Sequence, residues 1–286
     1  MGGCTVRFRN VSAGSFLLNL VKWAVLLLLF VYAVFPVLWL AVASLKTNGE
    51  LMANPFSLPE IWQFQNYKKA LTVSGIARLM LNSVIISSLA TLLNILIASM
   101  GAYTLSRFKF RGNQFLKVLF SSGILIPLNA LMIPYFVLVN SIGLYNTMGG
   151  LILVYTAIGI PISTFIIMGF MASVPDELEE AAIIDGACFY KRFFTIVFPL
   201  SRAGVVTAGT FQFLTCWNEF VYANLLTSSQ AVRTVQLGIR YFTNQFATDY
   251  VSMYAAIIIS ILPSILAYVL FQNQIIAGLT SGAVKG

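Results

Sequence analysis

Five of the nine acidic residues in this chain fall within one stretch of ten residues, 176–185. Pro175, just before them, suits the first position of a helix, where its missing N–H is not needed. Carboxylates in the first turns of such a helix are stabilised by the positive end of the helix dipole. Ser173 lies three residues before Asp176 and is expected to complete a capping box. The stretch therefore predicts a short acidic helix that Gly186 ends or bends.

The surface of this helix favours contact with a protein over catalysis. Leu178, Ala181 and Ala182 recur at helical spacing and are expected to form a shallow apolar strip that a partner can approach closely. The alternative is a helix that rests on lipid headgroups, but such helices carry Lys and Arg on their polar face. An acidic face is repelled by an anionic inner leaflet. Docking on a protein is therefore favoured, although these residues alone leave both interpretations open.

The sequence lacks the residues that most catalytic sites use. It contains no His, the commonest general base and metal ligand. It contains no Gly-Lys pair, and so no phosphate-binding loop of the usual type. Cys4, Cys188 and Cys216 are an odd number without a C-x-x-C pair, which favours neither a disulfide framework nor a metal site. We expect no enzyme activity, no metal and no cofactor on this chain.

Composition indicates that the solvent of this chain is lipid. Hydrophobic residues make up 59% of it, charged residues 9%, and the mean hydropathy is +0.87, whereas about a quarter of the residues of soluble domains are charged. A spanning helix needs ~20 apolar residues. Stretches of at least that length with no charge, or with one, lie at 23–45, 79–106, 118–175, 203–226 and 250–277. The stretch 118–175 is long enough for two helices, which a Gly-rich turn at 143–150 divides. The sequence thus predicts an all-α polytopic membrane protein with six transmembrane helices.

The predicted helices divide the chain into segments. The first helix, 23–45, is followed by an extracytoplasmic loop, 46–78. The other five form a core, 79–277, whose cytoplasmic loop 173–202 contains the acidic helix.

Basic residues set the expected orientation. If the two tails, 1–22 and 278–286, are both cytoplasmic, 11 of the 17 Lys and Arg lie inside and 6 outside, as the positive-inside rule requires. Clusters such as Arg107, Lys109 and Arg111 are then interpreted as anchors at the membrane surface rather than as nucleic-acid contacts.

A few polar side chains inside the predicted spans are candidates for the path of a solute. Glu219 is the one carboxylate that interrupts a span, where it can accept hydrogen bonds from a solute or pair with an Arg of a partner chain. Trp217 can stack on a sugar ring or anchor its helix at the interface. Asn218 lies between these two. Asn94, near the middle of the second span, can line a pore or bond to a neighbouring helix.

The acidic loop also resembles a known pattern, the EAA loop of ABC importer permeases, which reads E-A-A-x3-G-x9-I-x-L-P. The matching residues are Glu180, Ala181, Ala182, Gly186, Ile196 and Pro199. The one departure is Phe198 in place of Leu, an apolar residue for an apolar one. Asp185 before Gly186 matches the form common in sugar permeases.

The resemblance extends from residue 54 to residue 286 and narrows to the second permease subunit of the carbohydrate-uptake class. The other segments that carry it are 82–83, 107–112, 143–147, 217–220 and 278–286. It implies the fold of a type I ABC importer permease, with six spans and a cytoplasmic coupling-helix loop.

The resemblance also implies a set of partners in the cytoplasmic membrane of a bacterium or archaeon. A second homologous permease chain would complete the pore, and an extracytoplasmic solute-binding protein would deliver a sugar. Two ATPase subunits, which hold ATP and Mg²⁺, would dock on the loop. The coupling residues would be Glu180, Ala181, Ala182, Asp185, Gly186 and Pro199. Gly282 and Lys285 in the tail would reach the ATPase interface.

Two other classes of protein compete with this interpretation. A secondary carrier that acts alone would transport its solute in proteoliposomes without ATP or partner proteins. A structural membrane scaffold would transport nothing, but it leaves the acidic loop without a role.

Overall fold

The structure of the protein is a computed structural model, and it describes residues 13–73, 75–242 and 248–283. Within these ranges the regular elements are α-helices joined by short 3-10 and π-helical turns. The helices are α1 (Ala13–Ala43), α2 (Asn48–Ala53), α3 (Gln65–Val73), α4 (Ile76–Arg107), α5 (Asn113–Ser122), α6 (Met132–Ser141), α7 (Met148–Met171), α8 (Asp176–Ile184), α9 (Phe189–Arg192), α10 (Phe198–Leu200), α11 (Arg202–Asn218), α12 (Val221–Leu226), α13 (Val235–Gly238) and α14 (Tyr250–Ala283). The prediction of an all-α membrane protein is confirmed for the described part of the chain.

The described helices supply four spans as single helices. These are Leu18–Ala43, Ile76–Arg107, Met148–Met171 and Tyr250–Gln272. Two bent pairs supply two more spans if each pair crosses once: Asn113–Leu125 with Leu128–Ser141, at 97°, and Phe189–Leu200 with Arg202–Asn218, at 79°. The predicted count of six agrees with this arrangement.

The third and fifth predicted spans are interrupted. In the third, Pro127 separates the two halves, since proline lacks the N–H that a continuing helix needs. In the fifth, the predicted stretch 203–226 is one helix that ends at Asn218 and a short helix that begins at Val221. Glu219 between them has an extended backbone, with φ −71° and ψ 128°. Charge-free length indicates that a segment crosses the membrane, but it does not locate such breaks.

The bundle is organised around α4. α4 packs against α7, α11 packs across both, and α14 packs against α11. The buried face of α4 is made largely of small residues, which allow helices in a membrane to approach closely. They include Ser83, Ser87, Ala90, Ala98 and Ala102. By contrast, α1 exposes most of its side chains between Leu18 and Leu38, as a helix surrounded by lipid does.

Two charged residues hold the loop between the first two spans. Lys46 is fully buried, and its Nζ donates hydrogen bonds to a backbone carbonyl at 2.9 Å and to the hydroxyl of Ser57 at 3.1 Å. Asp249, just before α14, forms an ion pair with Lys69 and accepts a hydrogen bond from Asn48 at 3.0 Å. Partial burial raises the pKa of Asp249, but the hydrogen bonds outweigh it and bring the pKa to about 2. Asp249 therefore stays ionised at physiological pH and keeps its ion pair with Lys69.

Gly159 on α7 marks a close approach of two spans and gives a test of the packing. A Cβ at this position would lie 1.9 Å from Oε1 of Gln212 on α11. Gln212 cannot swing aside without losing its hydrogen bond to the carbonyl of Tyr155, at 2.8 Å. Gly159→Ala is therefore expected to lower the free energy of unfolding by about 1–3 kcal/mol, the usual cost of overpacking.

The matched control is Gly169→Ala on the same helix, where a Cβ would meet nothing within 4 Å. This variant is expected to be neutral. Thermal unfolding of both variants in detergent measures the difference, and equal midpoints would contradict the packing of α7 on α11.

Candidate functional site

The acidic segment forms α8, and its first turn carries three carboxylates, as predicted. Its start differs from the prediction. Pro175 is the N-cap residue, and the hydroxyl of Ser173 donates a hydrogen bond to the carbonyl of Phe170 at 2.7 Å. The expected capping box is absent because Ser173 lies two residues before the N-cap, out of reach of the first free N–H groups of the helix.

Gly186 ends α8 in the left-handed conformation, with φ +75°. Its N–H donates to the carbonyl of Ile183 at 3.0 Å, and the N–H of Ala187 donates to the carbonyl of Ala182 at 2.8 Å. These two bonds form a Schellman motif, in which glycine avoids the strain that a Cβ causes at positive φ. A Cβ at Gly186 would meet nothing within 4 Å in the described chain. Within this chain, the need for glycine is therefore conformational.

α8 has one face against the bundle and one face pointing away from it. Glu179 and Ala182, three residues apart, are buried at 7% and 9% exposure. Glu180 and Ala181 are exposed, and their exposed apolar neighbours are Leu178, Ile183 and Ile184. Ala182 was expected on the strip that a partner approaches, and this placement is corrected. The helix is rotated so that the pair Glu179 and Ala182 faces the protein's own bundle.

Glu179 lies at the centre of a buried charged cluster. Its carboxylate accepts a hydrogen bond from the hydroxyl of Tyr103, and it lies 3.2 Å from a guanidinium nitrogen of Arg192 and 3.7 Å from Nε of Arg107. Arg107 also forms an ion pair with Asp176. The cluster joins α8 to the end of α4 and to α9.

The interpretation of Arg107 as a membrane-surface anchor is wrong, because its side chain is only 7% exposed and serves this cluster. Lys109 and Arg111 beside it are exposed. Sequence reasoning missed the cluster because its members come from three separate elements. The available signal was the spacing of Tyr103 and Arg107, one helical turn apart at the end of an apolar span.

Asp185 lies at the end of α8, in the middle of the loop, and Pro199 lies near the end of the loop. Asp185 is the exposed C-cap residue of α8. Pro199 lies in α10, after a π-helical turn at Phe193–Val197, and next to the 79° bend that leads into α11. Both residues therefore shape the path of the loop.

Glu219 lies at the break in the fifth span. Its carboxylate accepts hydrogen bonds from the hydroxyl of Tyr155 at 2.7 Å and from the backbone N–H groups of Tyr222 at 2.7 Å and Ala223 at 2.9 Å. These N–H groups belong to the first turn of α12, where a helix has no partners of its own to offer. A cavity of about 200 Å³ lies beside the carboxylate. Its polar lining residues include Asn129, Tyr155, Gln212, Thr215, Glu219 and Tyr222.

The structure does not bring the other three candidate pathway residues to this cavity. Trp217 is 1% exposed, and its indole N–H donates to a carbonyl of α14 at 3.1 Å. Asn94 is fully buried, and its amide donates to a carbonyl of α7 at 2.9 Å. Asn218 is exposed, and its amide donates to a carbonyl one turn earlier in α11, at 2.9 Å. Of the four, Glu219 is the one that lines the cavity.

The two tail residues are at the edge of the structure. Gly282 is described as part of the backbone of α14, and Lys285 lies outside the described residues.

Comparison with known proteins identifies the family. The family described as binding-protein-dependent transport system inner membrane component matches residues 94–276. The chain is 34% identical to the diacetylchitobiose uptake system permease protein NgcG of Streptomyces coelicolor, over 93% of this chain and 88% of that protein. It is 32% identical to the trehalose/maltose transport system permease protein MalG of Thermococcus litoralis, over 91% of this chain and 94% of that protein.

A solved structure shows the same fold. It is a chain of a bacterial ABC transporter involved in the import of the acidic polysaccharide alginate. The TM-score is 0.82 at 19% sequence identity, with 94% of this chain and 99% of that chain covered.

The family match and these relatives define an ABC importer permease, a multi-pass protein of the cytoplasmic membrane. The chain belongs to the family of binding-protein-dependent transport system inner membrane components.

The hydrogen bonds of Glu219 predict a measurable role in stability. Glu219→Gln replaces one acceptor oxygen by an NH₂ group that faces donors, so the variant is expected to lose about 1.5–3 kcal/mol of unfolding free energy, the usual worth of a hydrogen bond to a charged group. Tyr155→Phe removes one donor and leaves two, so its loss should be smaller. Denaturant unfolding of the purified chain measures both, with the exposed Asn218→Ala as control. Wild-type stability in Glu219→Gln would contradict the structural role and favour a role of the carboxylate in binding a solute.

Proposed function

We propose that this chain forms half of the translocation pore of an ATP-driven importer for a sugar or oligosaccharide, and that a separate ATPase docks on α8. A sugar as the substrate is supported by the names of two relatives, which include diacetylchitobiose, trehalose and maltose. One observation carries the docking. α8 is fixed to the bundle through Glu179, while Glu180 and Ala181 point away from it, as a docking surface requires.

The proposed division of labour leaves hydrolysis to the partner. ATP and Mg²⁺ bind the ATPase subunits, and this chain is a non-catalytic permease that binds no cofactor. The absence of a Gly-Lys pair from the sequence supports this division. A carrier that acts alone gains less support, since Glu219 is occupied by a hydroxyl and two backbone N–H groups.

The proposed complex has a second homologous permease chain, two ATPase subunits and an extracytoplasmic solute-binding protein. The binding protein is supported by the family's dependence on such proteins. A solved alginate ABC transporter is in complex with an alginate pentasaccharide-bound periplasmic protein, which is the kind of delivery proposed for this chain. The exposed apolar side chains of α1 are available for contact with the lipid bilayer or the second permease chain.

The proposed orientation places both termini, and the loop with α8, in the cytoplasm. Its support is the excess of Lys and Arg in the inner segments. Membrane-impermeant reagents can test it on cysteines placed at Glu60 and Lys109, which are exposed on loops at opposite ends of the bundle. Labelling of Glu60 from the outside and of Lys109 from the cytoplasm is expected; the opposite pattern would reverse the orientation, and labelling of both from one side would refute the topology.

The substrate pathway is proposed to run past the break in the fifth span. Glu219, which lines the cavity, and the exposed Asn218 are the residues within reach of a solute, whereas Trp217 and Asn94 are assigned to support of the helices around them. Gly282 and Lys285 are proposed to contact the ATPase from the tail.

Docking predicts that Glu180→Lys abolishes uptake by releasing the ATPase, because the change turns an attraction into a repulsion on the exposed face of α8. The membrane level of the permease should stay normal, since Glu180 makes no contact in the buried core. Co-purification of the ATPase measures the loss. Glu180→Gln should be milder, and Glu60→Lys on the opposite end of the bundle is the charge-matched control.

Two substitutions of Gly186 distinguish the effect of backbone conformation from the effect of side-chain bulk at the end of α8. Gly186→Leu forces a branched side chain into positive φ, at a cost of about 1–2 kcal/mol, and is expected to loosen α8 and lose the ATPase. Gly186→Asn adds bulk but tolerates this conformation, so it should retain more of the ATPase. Normal ATPase retention and transport in both Glu180→Lys and Gly186→Leu would refute docking at α8.

A further inference from the structure

A charged cluster with little access to water fixes α8 to one end of α4. Glu179 on α8 contacts Tyr103 and Arg107, one turn apart on α4, and Arg192 on α9. The side chains of Glu179, Arg107 and Arg192 are 9%, 7% and 14% exposed. With so little water, each charge depends on its partners, and opening the cluster leaves a buried charge without compensation.

Aromatic rings enclose this cluster. The ring of Tyr103 lies 5.1–5.4 Å, between centroids, from the rings of Phe108, Phe189 and Phe193. The guanidinium of Arg192 lies 5.9 Å from the centre of the Phe108 ring. These residues come from α4, the residue after it, α9 and the turn that follows. α8 therefore cannot tilt against the end of α4 without breaking the charged cluster, and the aromatic shell packs α9, which carries Arg192, against the same end of α4.

α4 is also unlike the other spans in the described chain. It runs as one helix from Ile76 to Arg107 with no proline. The other single-helix spans contain Pro36, Pro161 and Pro263. The remaining two spans are bent pairs. Kinks in helices arise mainly at proline, and 32 residues at 1.5 Å each make a rod of about 48 Å. Of the described spans, α4 is the one suited to carry a displacement from end to end.

The opposite end of α4 holds a second segment. The side-chain amide of Asn82 donates to the carbonyls of Ala231 at 2.9 Å and Arg233 at 3.0 Å. The N–H of Val235 donates to the hydroxyl of Ser83 at 2.8 Å. Asn82 and Ser83 are 3% and 1% exposed. Three hydrogen bonds of these two buried side chains therefore attach the segment 231–235, which leads into α13, to this end of α4.

We propose that α4 is the rod through which movement of α8 reaches the opposite side of the membrane. Glu179 is the positioning residue at one end of the rod. At the other end, Asn82 and Ser83 bind the segment 231–235. The inference rests on the proposed function, because the movement of α8 comes from the docked ATPase. Nucleotide binding displaces α8, the Glu179 cluster carries α4 with it, and the segment 231–235 shifts on the far side.

Hydrogen–deuterium exchange of the complete importer, with and without ATP and vanadate, tests this proposal without knowledge of the sugar. In the wild-type complex, nucleotide should change amide exchange in α8 and also in 227–238, across the membrane. Glu179→Gln keeps the shape of the side chain and removes its charge. This variant should keep the ATPase and the response in α8. The nucleotide-induced change in amide exchange of 227–238 should fall about fivefold or more, which is within the range of ordinary coupling between sites.

Matched variants separate transmission from folding. Arg192→Gln should behave like Glu179→Gln, whereas Lys109→Gln, at an exposed basic residue just after α4, should behave like the wild type. The double variant with both Glu179→Gln and Arg192→Gln removes one charge of each sign. It should recover any loss in membrane level, while the response in 227–238 stays lost because the link itself is gone.

A response in 227–238 that survives in Glu179→Gln, or that returns in the double variant together with the membrane level, would overturn the role of Glu179. A wild-type complex that keeps the ATPase but shows no response in 227–238 would overturn transmission through α4 and leave the proposed function standing. A wild-type chain that retains no ATPase would overturn the proposed function, and this inference with it.

Discussion

A polar group in the hydrocarbon layer has no water to bond to, and so it must find its partner within the protein. This constraint accounts for most of the specific contacts in the structure. The fully buried Asn94 bonds to α7, and the break in the fifth span is capped by the carboxylate of Glu219. At one end of the bundle Glu179 is enclosed by two guanidinium groups and a tyrosine hydroxyl. Each of these contacts joins separate helices, so satisfying the polar groups also fixes the bundle.

The same constraint separates rigid elements from adaptable ones. Spans that are broken or contain proline need side chains or neighbouring helices to satisfy the backbone groups that the break frees. Such spans surround the cavity beside Glu219, where the carboxylate of Glu219 and the hydroxyl of Tyr222 bond to backbone groups at the breaks. α4 needs no such help, and its continuity gives the two ends of the bundle a fixed relation. The architecture thus combines one long span without proline, three spans that contain a proline and two bent pairs.

Local properties of the sequence predicted the apolar segments that form four single-helix spans and two bent pairs, and the position of α8. Desolvation of a charge is a local cost, so charge-free length reveals a span, and a proline, a run of acids and a glycine define α8. The rotation of α8 about its axis was not accessible, because it depends on Tyr103 and Arg107 far away in the sequence. Trp217 could not be assigned for the same reason, since its hydrogen bond goes to a carbonyl of α14. Residue type indicated which positions are polar, but tertiary contacts decide which of them face the cavity.

α8 and the short helix after it are proposed to form a cytoplasmic surface that the ATPase covers. Cys188, the exposed N-cap residue of α9, is a natural reporter of this surface. The direct measurement uses a variant in which Cys188 is the only cysteine and follows its modification by a membrane-impermeant maleimide in oriented vesicles. The account predicts that Cys188 reacts from the cytoplasmic side alone, and that adding the ATPase slows the reaction. Modification from the outer side, or a rate that the ATPase leaves unchanged, would contradict it.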